Sequence, residues 1–159
     1  MRFQDILRRH ILARLRPHRV SGLQDVEECP TNTNRSPRLL IVDDSPVALA
    51  FLDAVFRGAQ YEVETASNGV EGLDKALRNV PDLIVTDGLM PDVDGFELVR
   101  RLRNHPETAN IPVVMLTSVD TLDPEYSSRV PQPDALVAKS MQIEPLMDQV
   151  KALLAKSGG

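Results

Sequence analysis

The chain has 159 residues, 42% hydrophobic and 26% charged, which is the balance of one globular domain with appendages rather than of two ordinary domains. No apolar run approaches the ~20 residues needed to cross a bilayer, Arg8, Arg9 and Arg14 interrupt the only leader-like segment, and Cys29 has no second cysteine to pair with, so a cytoplasmic location is expected. The formal net charge of −5 is unevenly spread, with eight Lys/Arg against four Asp/Glu in residues 1–38 and ten against nineteen in residues 39–159; an acidic body repels nucleic acid, which leaves any such contact to the basic arm.

In chain order, Phe3, Ile6, Leu7, Ile11 and Leu15 recur at helical spacing before Pro17, predicting a helix over residues 2–16. Residues 21–37, rich in Ser, Thr, Asn and Pro, read as a linker, so that residues 1–37 form a basic extension and residues 38–157 the main domain. From there two apolar periods alternate. The runs at 38–43, 61–66, 82–87, 111–117 and 134–139 predict strands whose near-continuous apolarity suits a parallel sheet buried on both faces. Between them Val47, Leu49 to Leu52, Val55 and Phe56, then Val70, Leu73, Ala76 and Leu77, then Phe96, Leu98, Val99 and Leu102 have helical spacing, and Leu146, Met147, Val150, Leu153 and Leu154 make a last helix. Asp44 or Ser45 can cap the first of these with Pro46 in its first turn, Ser67 or Asn68 can cap the second, and Pro81 stops it. Pro124, Pro131 and Pro133 limit the fourth helix to a short, irregular stretch at about 124–130. Strands alternating with helices predict a doubly wound α/β domain, in which ligands bind beyond the carboxyl ends of the strands.

Four of the five strand ends carry a polar group: Asp43 and Asp44 after the first, Asp87 after the third, Thr117 after the fourth and Lys139 after the fifth. Three acids brought together repel, so such a cluster requires a cation or raised pKa values. A site with few protein oxygens suits Mg²⁺, which keeps several of its waters. Taken singly, an Asp pair before a helix is a cap, Asp87 before Gly88 a turn residue, Thr117 a β-branched strand residue and Lys139 a solvated charge; their joint placement at one end of one sheet makes those readings insufficient. Asp92, Asp94, Asp120 and Asp123 read as loop residues and caps.

The segments IVDDSP, VTDGLMPDVDG, MLTS and VAKS, in this order and at strand ends, resemble the receiver domain of response regulators over residues 38–157. The resemblance implies a flavodoxin-like five-stranded parallel sheet of order 2-1-3-4-5 with helices on both faces. It implies that Asp43 and Asp44 hold Mg²⁺ with Asp87 and the Leu89 carbonyl, and that Asp87 accepts a phosphoryl group. Thr117 and Lys139 would then neutralise the phosphoryl oxygens, and the small Ser118 would leave room for them. Pro91 and Gly95 resemble the family's sharp loop after the phospho-acceptor. Expected partners are a histidine kinase or phosphotransfer protein, an unidentified downstream protein target and, as a homodimer, a second copy of the chain.

The sequence departs from the family pattern in two places: Leu136 stands where an aromatic residue is usual, and Ser140 follows Lys139 where proline is usual. Both leave the chemistry intact and bear on how it is relayed. Three other functions compete. A receiver-like module that binds partners without phosphorylation would not need the five site residues. A phosphatase of the haloacid dehalogenase type would need an Asp-x-Asp after the first strand, whereas these acids are adjacent. A DNA-binding regulator would need a helix-turn-helix, and three residues follow Lys156. The expectation is thus a signalling phospho-acceptor that acts only on itself. The basic arm, set beside an acidic body, is expected to dock on a receiver surface or a partner.

Overall fold

In the computed structural model, residues 35–118, 128, 131–140 and 142–158 are described. Their elements are β1 (Arg38–Val42), α1 (Pro46–Gly58), β2 (Glu62–Ala66), α2 (Gly69–Asn79), β3 (Leu83–Asp87), α3 (Gly95–Arg103), β4 (Val113–Thr117), β5 (Ala135–Ala138) and α4 (Glu144–Ser157). The helix expected at 2–16 lies outside the described residues, as does the one expected at 124–130 apart from residue 128.

The five strands form one parallel sheet in the order β2-β1-β3-β4-β5, as the sequence and its resemblance imply. The strand order reverses between β1 and β3, which opens a crevice beyond their carboxyl ends. Near-continuous apolar strands follow from two buried faces. Leu39, Ile41, Leu83, Val85, Val114 and Leu116 point to one side and pack on Leu52 and Phe56 of α1 and Leu146 and Val150 of α4. Leu40, Val42, Ile84, Val113 and Met115 point to the other side, against Ala76 of α2 and Leu98, Val99 and Leu102 of α3. Side chains alternate across a strand, so each strand feeds both cores.

The strands are shorter than the apolar runs because the turns take the end residues. Tyr61 donates its N–H to Phe56 O, and Gln60 adopts φ 68° to make that turn. Pro112 has no N–H for the ladder, and β4 begins after it. The domain is already anchored upstream of β1: Arg35 Nη2 lies 2.9 Å from Asp82 Oδ1, and Pro37 O accepts the Glu62 N–H.

The caps resolve two alternatives left open by the sequence. Ser45 Oγ accepts the Ala48 N–H at 3.3 Å, with Pro46 in the first turn of α1. This frees Asp44 from capping. Asn68 Oδ1 accepts the Glu71 N–H at 2.8 Å, while Ser67 donates both its N–H and its hydroxyl to Glu71 Oε2. That carboxylate, also bound by Lys75, is held down at about 2, the Lys75 contact being the largest cause and the Ser67 bonds the next. Asp94 caps α3 through the Glu97 N–H.

Helical periodicity overstated the core. Val47 is 79% and Phe51 51% exposed on α1, and Val70 is 57% exposed on α2, because neighbours cover only one arc of each helix.

Candidate active site

Asp43, Asp87 and Thr117 are buried at the carboxyl ends of their strands, at 1%, 6% and 4% exposure. Buried acids are tolerated only with partners. The backbone turn after β1 supplies the first: the Ser45 N–H donates to Asp43 Oδ1 at 2.9 Å. The turn after β3 does the same for Asp87, whose Oδ1 accepts the Leu89 N–H at 3.2 Å. Lys139 supplies the charge. Its Nζ lies 2.8 Å from Asp87 Oδ2 and 3.3 Å from Asp43 Oδ2. Strand pairing carries on past β5 to aim this side chain, since the Lys139 N–H bonds to Thr117 O.

The exposed Asp44 completes the group. One carboxylate oxygen from each of Asp43, Asp44 and Asp87 lies within 4.8 Å of the others. Burial, the largest influence, pushes the Asp43 carboxyl above its ordinary value; the Ser45 N–H and the Lys139 charge act against the rise, and the Asp87 charge adds to it. Burial works against the Lys139 ammonium, yet the hydrogen bond and charge of Asp87, followed by those of Asp43, outweigh it and hold its pKa above the ordinary value. Among the described residues the site therefore carries three acids, each with hard oxygen donors, against one cation. This donor set fits Mg²⁺ better than a softer metal that prefers nitrogen or sulfur.

The loop after β3 is fixed by packing. Met90 and Val93 are buried, the Val93 N–H bonds to Pro91 O, and Asp92 takes φ 65°. Gly95 closes the loop with an N–H bond to Gly88 O at 3.1 Å. A Cβ on Gly95 would fall 2.4 Å from the Asp87 carbonyl oxygen. Only glycine lets α3 start this close to the site. Leu89 itself is 49% exposed.

The structure thus brings Asp43, Asp44, Asp87 and Lys139 together, with buried Thr117 at the adjoining end of β4 and Ser118 next to it. A groove of about 360 Å³ opens alongside, lined by Phe51, Leu52, Val137, Ile143 and Leu146 and reaching Asp43 and Lys139. The sequence did not expose this groove, because its walls come from α1, β5 and α4. Ser140, in the place where proline is usual, forms a small turn of its own by exchanging hydrogen bonds with the backbone of Gln142.

A doubly wound domain with an acid cluster at its switch point, faced by a lysine, is the architecture of a signalling receiver. Residues 39–151 match the model of the response regulator receiver domain, and the chain belongs to that family. It is 35% identical over 121 residues to the DNA-binding dual master transcriptional regulator RpaA of a Synechocystis species, a match covering 76% of this chain and 50% of that protein. Among solved structures, a putative response regulator from Chloroflexus aurantiacus aligns with a TM-score of 0.70 at 36% identity, covering 76% of this chain and 99% of that one. The response regulator TrrA of Thermotoga maritima, solved in complex with Mg²⁺-BeF, aligns with a TM-score of 0.64 at 30% identity, covering 74% of this chain and 98% of that one. The chain spans about half the length of the regulator from Synechocystis. Among the described residues no helix is long and apolar enough to cross a membrane.

Proposed function

We propose that this protein is a phospho-acceptor of two-component signalling, in which Asp87 takes a phosphoryl group from the phosphohistidine of a kinase or phosphotransfer protein. The observation that carries this reading is the pairing of Asp87 with Lys139 inside a cluster of three carboxylates. An Asp87 oxygen attacks phosphorus, the P–N bond breaks, and its electron pair returns to the donor imidazole. Such a transfer asks for alignment and neutralised oxygens more than for covalent help. Lys139 stands ready to follow the charge from the carboxylate to the phosphoryl oxygens. The Thr117 hydroxyl is a second donor at the end of the neighbouring strand.

Mg²⁺ would be held by Asp43, Asp44, Asp87 and the Leu89 carbonyl and, when bound, would neutralise charge on the transferring group. The resemblance to the TrrA structure, which contains Mg²⁺, supports this assignment. The donor protein would approach over α1, where Val47 and Phe51 are exposed and the groove leads to Lys139. The rest is signalling by changed protein contacts, with residues 1–37 as an extension for a partner or a second copy and the chemistry confined to the protein's own aspartate.

The test is incubation with a small phosphodonor and Mg²⁺ followed by intact mass. Wild type should gain one phosphoryl group and Asp87→Asn none. An undiminished adduct in Asp87→Asn would falsify the assignment, and a wild type that takes up no phosphoryl group, and binds partners all the same, would favour a phosphorylation-independent module.

A further inference from the structure

Gly69 opens α2, a helix that neither supplies a site residue nor lines the groove. Alanine is the better helix former, so glycine here weakens the helix start. The reason lies across a contact. A Cβ on Gly69 would lie 2.6 Å from Val93 Cγ1, 2.7 Å from the Val93 carbonyl oxygen and 2.8 Å from Val93 Cβ. The Val93 backbone is pressed against the helix, and no side chain fits between them.

Both sides of this contact are held. On the helix side, Asn68 caps α2, Ser67 binds Glu71 through two groups, and Lys75 Nζ ties the helix to Thr65 O at 2.6 Å. The start of α2 has nowhere to retreat. On the loop side, Val93 belongs to the seven-residue connection that begins at Gly88 and carries Leu89, whose N–H bonds to Asp87 Oδ1. The Gly88–Gly95 bond closes that connection into a ring, so a push at Val93 is passed to Leu89 rather than absorbed by a free end.

We propose that Gly69 is a positioning residue for the Asp87 site: the missing side chain sets how deeply Val93 seats, and thereby where the Leu89 N–H and carbonyl stand relative to the Asp87 carboxylate. Its consequence for metal binding rests on the function proposed above. Its consequence for the loop does not.

Gly69→Ala is the test, with Thr108→Val as the control for lost stability. Thr108 is fully buried, bonds to Leu102 O and lies before β4, at the opposite end of the sheet. Two quantities are read in the full chain: the Leu89 amide resonance in metal-free protein, and the Mg²⁺ dissociation constant by calorimetry. Gly69→Ala should shift the Leu89 amide and weaken Mg²⁺ binding by about tenfold, as expected when the support of a metal ligand moves. Thr108→Val should lower the melting temperature and change neither. If Gly69→Ala leaves both where Thr108→Val leaves them, the inference is overturned. Should Gly69→Ala not fold, Val93→Ala opens the same contact from the other side and is read by the same two measurements, with the same outcomes. If wild type binds no Mg²⁺, the function proposed above fails, and the Leu89 amide alone decides whether Gly69 positions the loop.

Discussion

Lys139 Nζ lies 2.8 Å from Asp87 Oδ2, so the fifth strand's terminal cation is paired with the third strand's terminal carboxylate. The ammonium also reaches Asp43 Oδ2 at 3.3 Å. One positive charge therefore serves two acids and opposes any second cation that enters the cluster.

Replacing Lys139 by Met should separate those two effects. Mg²⁺ affinity should rise severalfold, because a repelling charge is gone. Phosphorylation of Asp87 should slow by roughly 100-fold, because a preorganised donor to the phosphoryl oxygens is gone. Calorimetry and a time course of intact mass measure the two; a Lys139→Met protein that is phosphorylated at the wild-type rate would remove the lysine from the mechanism.

Asp43→Asn should stabilise the metal-free fold at neutral pH. Burial raises the Asp43 pKa above 3.8, so between the unfolded and folded values the native state binds more protons than the unfolded state. Stability then falls as pH climbs through that window, and above it the buried charge is a net cost to the metal-free fold. Asparagine keeps an oxygen for the Ser45 N–H and removes the charge. The gain in melting temperature should shrink as pH is lowered below the ordinary carboxylate value; a gain that stays constant with pH would contradict this origin.

Phospho-Asp87 is expected to be long-lived. Leu89, two residues after Asp87, and Val119, two after Thr117, are apolar and offer no group to orient an attacking water. After removal of the phosphodonor, the adduct should persist for minutes or longer at neutral pH, as followed by intact mass. Decay within seconds would refute the reasoning.

Removal of residues 1–34 should leave the adduct yield on Asp87 unchanged, since Arg35 and Pro37, which bond to Asp82 and to Glu62, are retained. Self-association or partner affinity should change, as expected of a basic extension. Identical solution mass over a range of concentrations, together with identical partner binding, would make the extension a passive tail.

The sequence by itself determined the order and type of the strands and described helices and the end of the sheet at which the acids and the lysine gather. Both are local properties: apolar period separates strand from helix, and turn residues mark where each strand stops. The polar positions at strand ends were legible because a parallel sheet brings every carboxyl end to one side. Only the tertiary structure decided which of those groups touch. The bond from Lys139 to both Asp87 and Asp43 joins residues far apart in the chain, and no local pattern sets such a distance. The same holds for the exposure of Phe51 and Val47, which have the spacing of core residues but stand largely open on α1. It holds most clearly for Gly69: in the sequence it is a weak start to a helix, and its role appears only when Val93, brought over from the loop beyond β3, leaves no room for a side chain.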